Sequence, residues 1–143
     1  MKLPIHTPTP SDYERLLAFR SIICAAGYRP IKQWRGGEQT DTGAVTFLRP
    51  EYDAATVAFF KAAGEAIWSD FDYAPADASQ LLADYDLVRA ASLDQIRTML
   101  TYCVRGERFC SGHWGAMIES GDICRLLERL GELYEAVRRQ EDP

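Results

Sequence analysis

Residues 101–114 hold most of the side chains in this sequence that could do chemistry. Arg105, Glu107 and Arg108 lie within four positions of one another. A glutamate between two arginines can accept charge-assisted hydrogen bonds from both and so fix a turn. The same two guanidinium groups are suited to bind a phosphate, a carboxylate or an acidic peptide, and Gly106 would allow the ligand to approach the backbone. The sequence favours the structural interpretation, because structural ion pairs often resemble functional sites.

Sulfur and imidazole groups suggest two further kinds of site in the same segment. Cys110 and His113 have the spacing of a pair of zinc ligands, and Cys103 and Cys124 could complete the set. Zinc sites usually supply two pairs of ligands that are close in sequence, whereas Cys103 and Cys124 are each distant from any other ligand. We therefore expect no bound metal and no resident cofactor. Cys110 or Cys103 could act as a nucleophile with His113 or His6 as its base. No third residue orients such a pair, so the sequence does not favour an enzyme.

Aromatic residues complete the candidate sites. We expect Tyr102, Phe109 and Trp114 to anchor the turn in the core, although Trp114 and His113 also lie where a bound ligand would sit. The candidate ligand-binding residues are therefore Arg105, Glu107, Arg108, His113 and Trp114. A second candidate is the loop Trp34-Arg35-Gly36-Gly37, in which an aromatic ring and an arginine suit contact with another protein. The sequence favours the alternative that this segment is an ordinary solvated loop.

Apolar residues recur at helical spacing on both sides of the segment and predict the elements that position it. Main helices are predicted at residues 11–26, 51–68, 92–104 and from Asp122 onward. Shorter helical turns are predicted after Asp77 and at residues 114–118. We expect the helices on either side of the Arg-Gly-Glu-Arg-Phe turn to pack antiparallel. The predicted core is Leu16, Phe19, Ile23, Val57, Phe60, Ile67, Ile96, Leu100, Val104, Ile123, Leu127, Leu130 and Tyr134.

Capping signals set the predicted helix ends. Ser11 with Glu14, and Ser92 with Gln95, have capping-box spacing. Pro50 is suited to the first turn of the second helix.

Between the first two helices, glycine and proline break the pattern. Residues 44–48 are typical of a short strand by their β-branched and aromatic content, and residues 28–31 are its only evident partner.

Length and composition limit the class of protein. The chain has 143 residues, 47% of them hydrophobic, and a net charge of −5. These values indicate one soluble domain over residues 1–143, with an extended arm at 1–10 and a frayed tail at 140–143. The negative charge argues against general binding to nucleic acid or to an anionic membrane. No signal peptide or spanning segment is evident, so we expect a cytoplasmic protein whose four cysteines are thiols.

The predicted fold is mainly α: a compact helical bundle of about four main helices, with a possible short β-hairpin between the first two. The run Arg105-Gly106-Glu107-Arg108-Phe109-Cys110-x-Gly112-His113-Trp114 and the helix that follows it resemble the bacterial DUF6508 family, whose members have no assigned activity. The resemblance implies a small helical bacterial protein.

Three functions remain in consideration. The sequence favours a non-catalytic protein-binding or accessory module, either monomeric or homodimeric. The alternative is an enzyme or sensor that binds a small anionic ligand at the Arg105–Arg108 turn. A nucleic-acid-associated protein is third.

Overall fold

The computed structural model describes residues 7–141, with side chains to residue 140. The chain is mostly helical and carries a two-stranded antiparallel hairpin, which confirms the predicted class. The elements are α1 (Pro10–Leu17), α2 (Arg20–Ile23), β1 (Ile31–Arg35), β2 (Arg49–Tyr52), α3 (Ala54–Ala63), α4 (Pro75–Ala83), α5 (Tyr85–Arg89), α6 (Leu93–Arg105), α7 (His113–Glu119) and α8 (Asp122–Glu141). Single 3-10 turns lie at Ala66–Trp68 and Gly106–Arg108.

The count of about four main helices is not confirmed, because the first predicted helix is divided in two and the second is shorter than predicted. The predicted helix at 11–26 is interrupted at residues 18–19 and becomes α1 and α2. Its cap is Thr9 and not Ser11: the Thr9 hydroxyl accepts from Asp12 N at 3.2 Å, and the Asp12 carboxylate accepts from Thr9 N at 2.8 Å. Pro10 explains the shift, since its fixed φ suits the first helical position and places the cap one residue before it.

The second predicted helix is shorter than residues 51–68. Its first residues belong to β2, and Pro50 pairs with Trp34 across the hairpin. Asp53 is the N-cap of α3 and accepts a hydrogen bond from Ala55 N at 3.1 Å. The predicted hairpin is therefore present, but its strands lie later in the sequence than residues 28–31 and 44–48.

Predictions from local capping signals are more accurate in the second half of the chain. Ser92 and Gln95 form the predicted capping box at the start of α6, with hydrogen bonds of 3.2 and 2.9 Å. The short helix predicted at 114–118 is α7. Gly121 has φ +87° and separates α7 from α8, whose first residue is Asp122.

The core matches most of the predicted residues. Phe19, Ile67 and Val104 are half-buried against it, and only Val57 is exposed. α3 instead presents Thr56, Phe59, Phe60 and Ala63 to the interior. The buried face of this helix therefore includes the predicted Phe60 but has Thr56 and Phe59 in place of Val57. The fully buried large side chains are Leu16, Ile23, Phe59, Phe60, Val88, Ile96, Met99, Leu100, Ile123, Leu126, Leu127 and Leu130.

α6 and α8 contact each other, and α7, which lies between them in the sequence, contacts both. Within the described part of the chain, no helix has both the length and the apolar character required to cross a bilayer.

A disulfide joins Cys24, at the end of α2, to Cys124 in α8. Their Cα atoms lie 5.8 Å apart, within the usual range for a disulfide. The expectation that all four cysteines are thiols is therefore wrong for these two. The expectation was based on the redox compartment alone, and cysteines 100 positions apart give no spacing signal in the sequence.

Candidate functional site

Glu107 turns away from the two arginines and joins three parts of the fold. Its Oε1 atom accepts hydrogen bonds from the Tyr52 hydroxyl at 2.6 Å and from Trp114 N at 2.9 Å. Its Oε2 atom accepts from Gly112 N at 2.9 Å. The two amides belong to the N-terminus of α7, where a carboxylate satisfies otherwise unpaired donors and is favoured by the helix dipole. Glu107 therefore caps α7 and ties it to β2.

The predicted locking of Glu107 by the two arginines is wrong. Arg105 places its guanidinium over the ring of Tyr73, 5.2 Å from the centroid. Arg108 is exposed and forms no ion pair or hydrogen bond with any residue that the structure describes. The structure thus gives the two arginines different surroundings. Joint binding of an anion by them stays a prediction.

The Tyr52 hydroxyl is held in its protonated, donating form. Burial raises the pKa of Tyr52 well above its ordinary value, and both the hydrogen bond to Glu107 and the charge of that carboxylate raise it further. The contact between Tyr52 and Glu107 is therefore one between a neutral donor and a carboxylate, and such hydrogen bonds are stronger than neutral ones.

Trp114 anchors the turn. Its indole N–H donates to the Val104 carbonyl at 2.9 Å, which satisfies one of the free carbonyls at the end of α6. Its ring stacks on Phe60 with centroids 4.7 Å apart. Phe109, which was also expected to be an anchor, is 86% exposed. That prediction is wrong, because the side chain points to solvent from the turn.

His113 is half-buried against the edge of Tyr102. Its Nε2 atom is buried and has no hydrogen-bond partner. Burial lowers the pKa of His113, while the Glu107 carboxylate and the Tyr102 carbonyl act in the opposite direction. A Cβ at Gly106 would lie 2.3 Å from the imidazole, so this position requires glycine for the close approach.

The hairpin packs on the same turn, which the sequence interpretation missed. A Cβ at Gly112 would lie 2.8 Å from the Trp34 ring, and one at Gly115 would lie 2.7 Å from Ile31. A register shift between Ile31 and Gln33 inserts an extra residue, so that Ile31 and Trp34 can reach α7 together although they are three positions apart. The spacing Gly112-x-x-Gly115 is the sequence signal that could have revealed this contact.

We define the hairpin arm as residues 31–52. Its base is β1 and β2, and its outer half is continued by hydrogen bonds from Gly37 N to Thr46 O at 2.9 Å and from Thr40 N to Ala44 O at 2.7 Å. Val45, Phe47 and Leu48 in the outer half are 64%, 92% and 58% exposed. The arm is thus fixed at its base and presents apolar side chains to solvent.

The four residues considered as zinc ligands, Cys103, Cys110, His113 and Cys124, do not form a common group in the described chain. Cys103 is buried, and burial raises its pKa well above the ordinary value, whereas Cys110 is exposed. Cys124 is bonded to Cys24. No group of three or more His, Cys, Asp or Glu residues within the described chain is arranged to hold a metal ion. His6, the alternative base, lies outside the described residues.

The fold and this surface define a small, mostly helical protein in which a β-hairpin is seated on a glutamate-capped turn. Over residues 8–136 the chain matches the family of unknown function DUF6508, and it belongs to that family. We found no matching curated protein and no matching solved structure.

Proposed function

We propose that the protein is a non-catalytic binding module that holds another protein through its hairpin arm. The observation that carries the proposal is the exposure of Val45, Phe47 and Leu48 on an arm whose base is fixed. Large contiguous apolar patches exposed to water mark interaction sites, whereas scattered single apolar residues are ordinary. These three side chains lie within four consecutive positions of the arm. A fixed arm also loses less conformational freedom on binding than a loose loop would.

The contacts at the base support this role. Trp34 and Ile31 lie against the glycines of α7, and Tyr52 donates to Glu107. Such contacts orient the arm with respect to the helices. A partner would therefore bind a surface in which the arm and the turn that carries the exposed Arg108 have a fixed relative orientation.

Two expectations from the sequence have less support. Glu107 already occupies the α7 N-terminus, so a small anion would have to rely on Arg105 and Arg108, which have different surroundings. For nucleic acid, the net charge of −5 is unfavourable.

The proposal is tested by affinity capture from an extract of the source organism, with the double variant Phe47→Ser, Leu48→Ser beside the unchanged protein. We expect a partner that is captured by the unchanged protein and lost with the double variant. Phe71→Ser is the matched control, because Phe71 is 64% exposed and lies outside the arm. Equal capture by a folded double variant would contradict the proposal.

A further inference from the structure

A groove of about 380 Å³ runs between β1 and α7. Residues between Tyr28 and Trp34 line one side of it, and Gly112, Ala116 and Glu119 line the other. No residue of β2 lines it, so the groove lies along the side of β1 opposite its partner strand.

The groove follows an open strand edge. The groove takes in the consecutive residues 31–34 of β1 and no residue of β2. The bulge between Ile31 and Gln33 interrupts the alternation of side chains there, so the absence of β2 residues from the lining is what places the groove at the outer side of β1. In the sheet of the described chain, β1 has β2 as its single neighbour, so the N–H and C=O groups of its other edge have no strand to pair with.

The side chains of the groove define the chemistry of an occupant. Arg29 and Lys32 are exposed and form no ion pair with a residue of the described chain, whereas the only carboxylate among the lining residues is Glu119. The lining residues therefore carry a net charge of +1, from Arg29 and Lys32 against Glu119, on a protein whose overall charge is −5. The carboxylates of Glu51 and Asp53, which do not line the groove, lie within electrostatic range of Lys32. Trp34, 46% exposed, and Ala116 supply an apolar wall.

We propose that this groove binds an extended acidic peptide segment of a partner protein by strand addition. The segment pairs its main chain with the open edge of β1, places carboxylates beside Arg29 and Lys32, and packs an apolar side chain on Trp34. Main-chain pairing supplies affinity in this mode of recognition, and the pockets for side chains supply specificity. The inference rests on the proposed function, since it names the partner chemistry recognised at the base of the same arm.

The probe is a fluorescein-labelled hexapeptide of alternating Glu and Val, titrated against the full chain by fluorescence anisotropy. A Lys-for-Glu version tests charge. Two further versions carry backbone N-methyl groups at the odd or at the even positions. Because only alternate amides of an added strand face its neighbour, methylation in one register blocks pairing and methylation in the other does not.

We expect the acidic peptide to bind at least about tenfold more tightly than the basic one, and one methylated register to weaken binding by about tenfold or more. Ala116→Trp should abolish binding by filling the groove, and Lys32→Glu should weaken it. Arg49→Glu is the matched control, because Arg49 is an exposed cation of β2 that does not line the groove. Circular dichroism and thermal melting confirm that each variant is folded.

Failure to bind the acidic peptide would overturn the inference, as would equal binding of both charges, tolerance of both methylated registers, or unchanged binding by folded Ala116→Trp. A dimer of the free protein that dissociates with Ala116→Trp would show a second copy in the groove, and would also overturn the inference.

If the acidic peptide does not bind while the Phe47→Ser, Leu48→Ser variant still loses its captured partner, this inference fails and the proposed function stands. If the peptide binds as expected while that variant retains every partner, the proposed role of the outer arm fails instead.

Discussion

The Glu107 carboxylate accepts hydrogen bonds from both the start of α7 and the hairpin. In the sequence Glu107 stands between two arginines, so pairing with them is the expectation from neighbouring residues. In the fold its carboxylate receives hydrogen bonds from Tyr52, Gly112 and Trp114 instead. Two of these donors become available because α7 begins six residues later, at His113, and the third comes from a strand 55 positions earlier. Sequence spacing does not show either fact.

The separation of the arginines from Glu107 predicts small effects of their removal. Arg108→Ala should change the free energy of unfolding by less than about 0.5 kcal/mol, because the side chain is exposed and has no partner in the described chain. Arg105→Ala should cost about 0.5–1 kcal/mol through loss of its contact with Tyr73. Urea unfolding measures both. A loss of about 3 kcal/mol or more for Arg108 would indicate that it belongs to a buried ionic group.

His113 predicts a pH dependence of stability. Its pKa in the fold is lowered from the ordinary 6.5, so the unfolded chain takes up a proton at a higher pH than the folded chain does. The stability contributed by neutral His113 is therefore present above about pH 6.5 and is lost as the pH falls below it. The free energy of unfolding should fall between pH 7 and pH 5 in the unchanged protein, and less so in His113→Gln.

The chain has one other histidine, His6, which provides the control. If His113 causes the pH dependence, the free energy of unfolding of His6→Gln should fall with pH as steeply as that of the unchanged protein. Identical slopes in the unchanged protein and in His113→Gln would contradict the account of the buried imidazole.

At the scale of elements, the hairpin depends on two glycines that lie far from it in the sequence. Gly112 and Gly115 leave room on α7 for Trp34 and Ile31. Gly112 also has φ +93°, a conformation that residues with a Cβ rarely adopt.

Gly112→Ala and Gly43→Ala separate these two effects. Both positions have positive φ, so each substitution should cost about 1–2 kcal/mol through the backbone. Nothing lies within 4 Å of a Cβ at Gly43, whereas at Gly112 the Trp34 ring must move. We therefore expect Gly112→Ala to cost more and to shift tryptophan fluorescence to longer wavelength. Equal losses in the free energy of unfolding for the two variants, with unchanged fluorescence, would contradict the packing of Trp34 against α7.

How accurately the helices and strands can be predicted depends on how far apart in the sequence the interacting residues lie. The capping box of Ser92 and Gln95 was predictable, because both partners lie within one helical turn. The hairpin was misplaced because Pro50 suits both a helix start and an edge strand, and the choice depends on pairing with Trp34. For the candidate site, the sequence singled out residues 101–114, whose role as a site stays a prediction. The donors that Glu107 binds and the nearby hairpin depend on contacts between residues distant in the sequence.

At the scale of the whole molecule, the disulfide between Cys24 and Cys124 joins α2 to α8 and closes a loop of 100 positions. In the chain-entropy view a cross-link over a loop of this length stabilises by about 4–5 kcal/mol, mainly by restricting the unfolded chain. We expect a reducing agent to lower the melting temperature of the unchanged protein and to leave that of a Cys24→Ser, Cys124→Ser variant unaffected.

Alkylation of the denatured, unreduced protein followed by intact mass measurement gives an independent check. Two labels are expected, on Cys103 and Cys110. Four labels would show that the cysteines are thiols in that preparation, as the sequence alone suggests, and would contradict the cross-link.

We propose that the turn is a scaffold, in which Glu107 fixes the hairpin arm to α7. Hydrogen exchange in Glu107→Gln tests it most directly, because the amide offers one acceptor oxygen where the carboxylate offers two. The lost charged hydrogen bonds should cost about 1.5–3 kcal/mol. Exchange in β1, β2 and the start of α7 should accelerate more than exchange in α6. Glu119 is an exposed carboxylate of α7, so Glu119→Gln should change neither the free energy of unfolding nor the exchange rates. If the hairpin amides exchange as slowly in folded Glu107→Gln as in the unchanged protein, Glu107 does not fix the arm to α7.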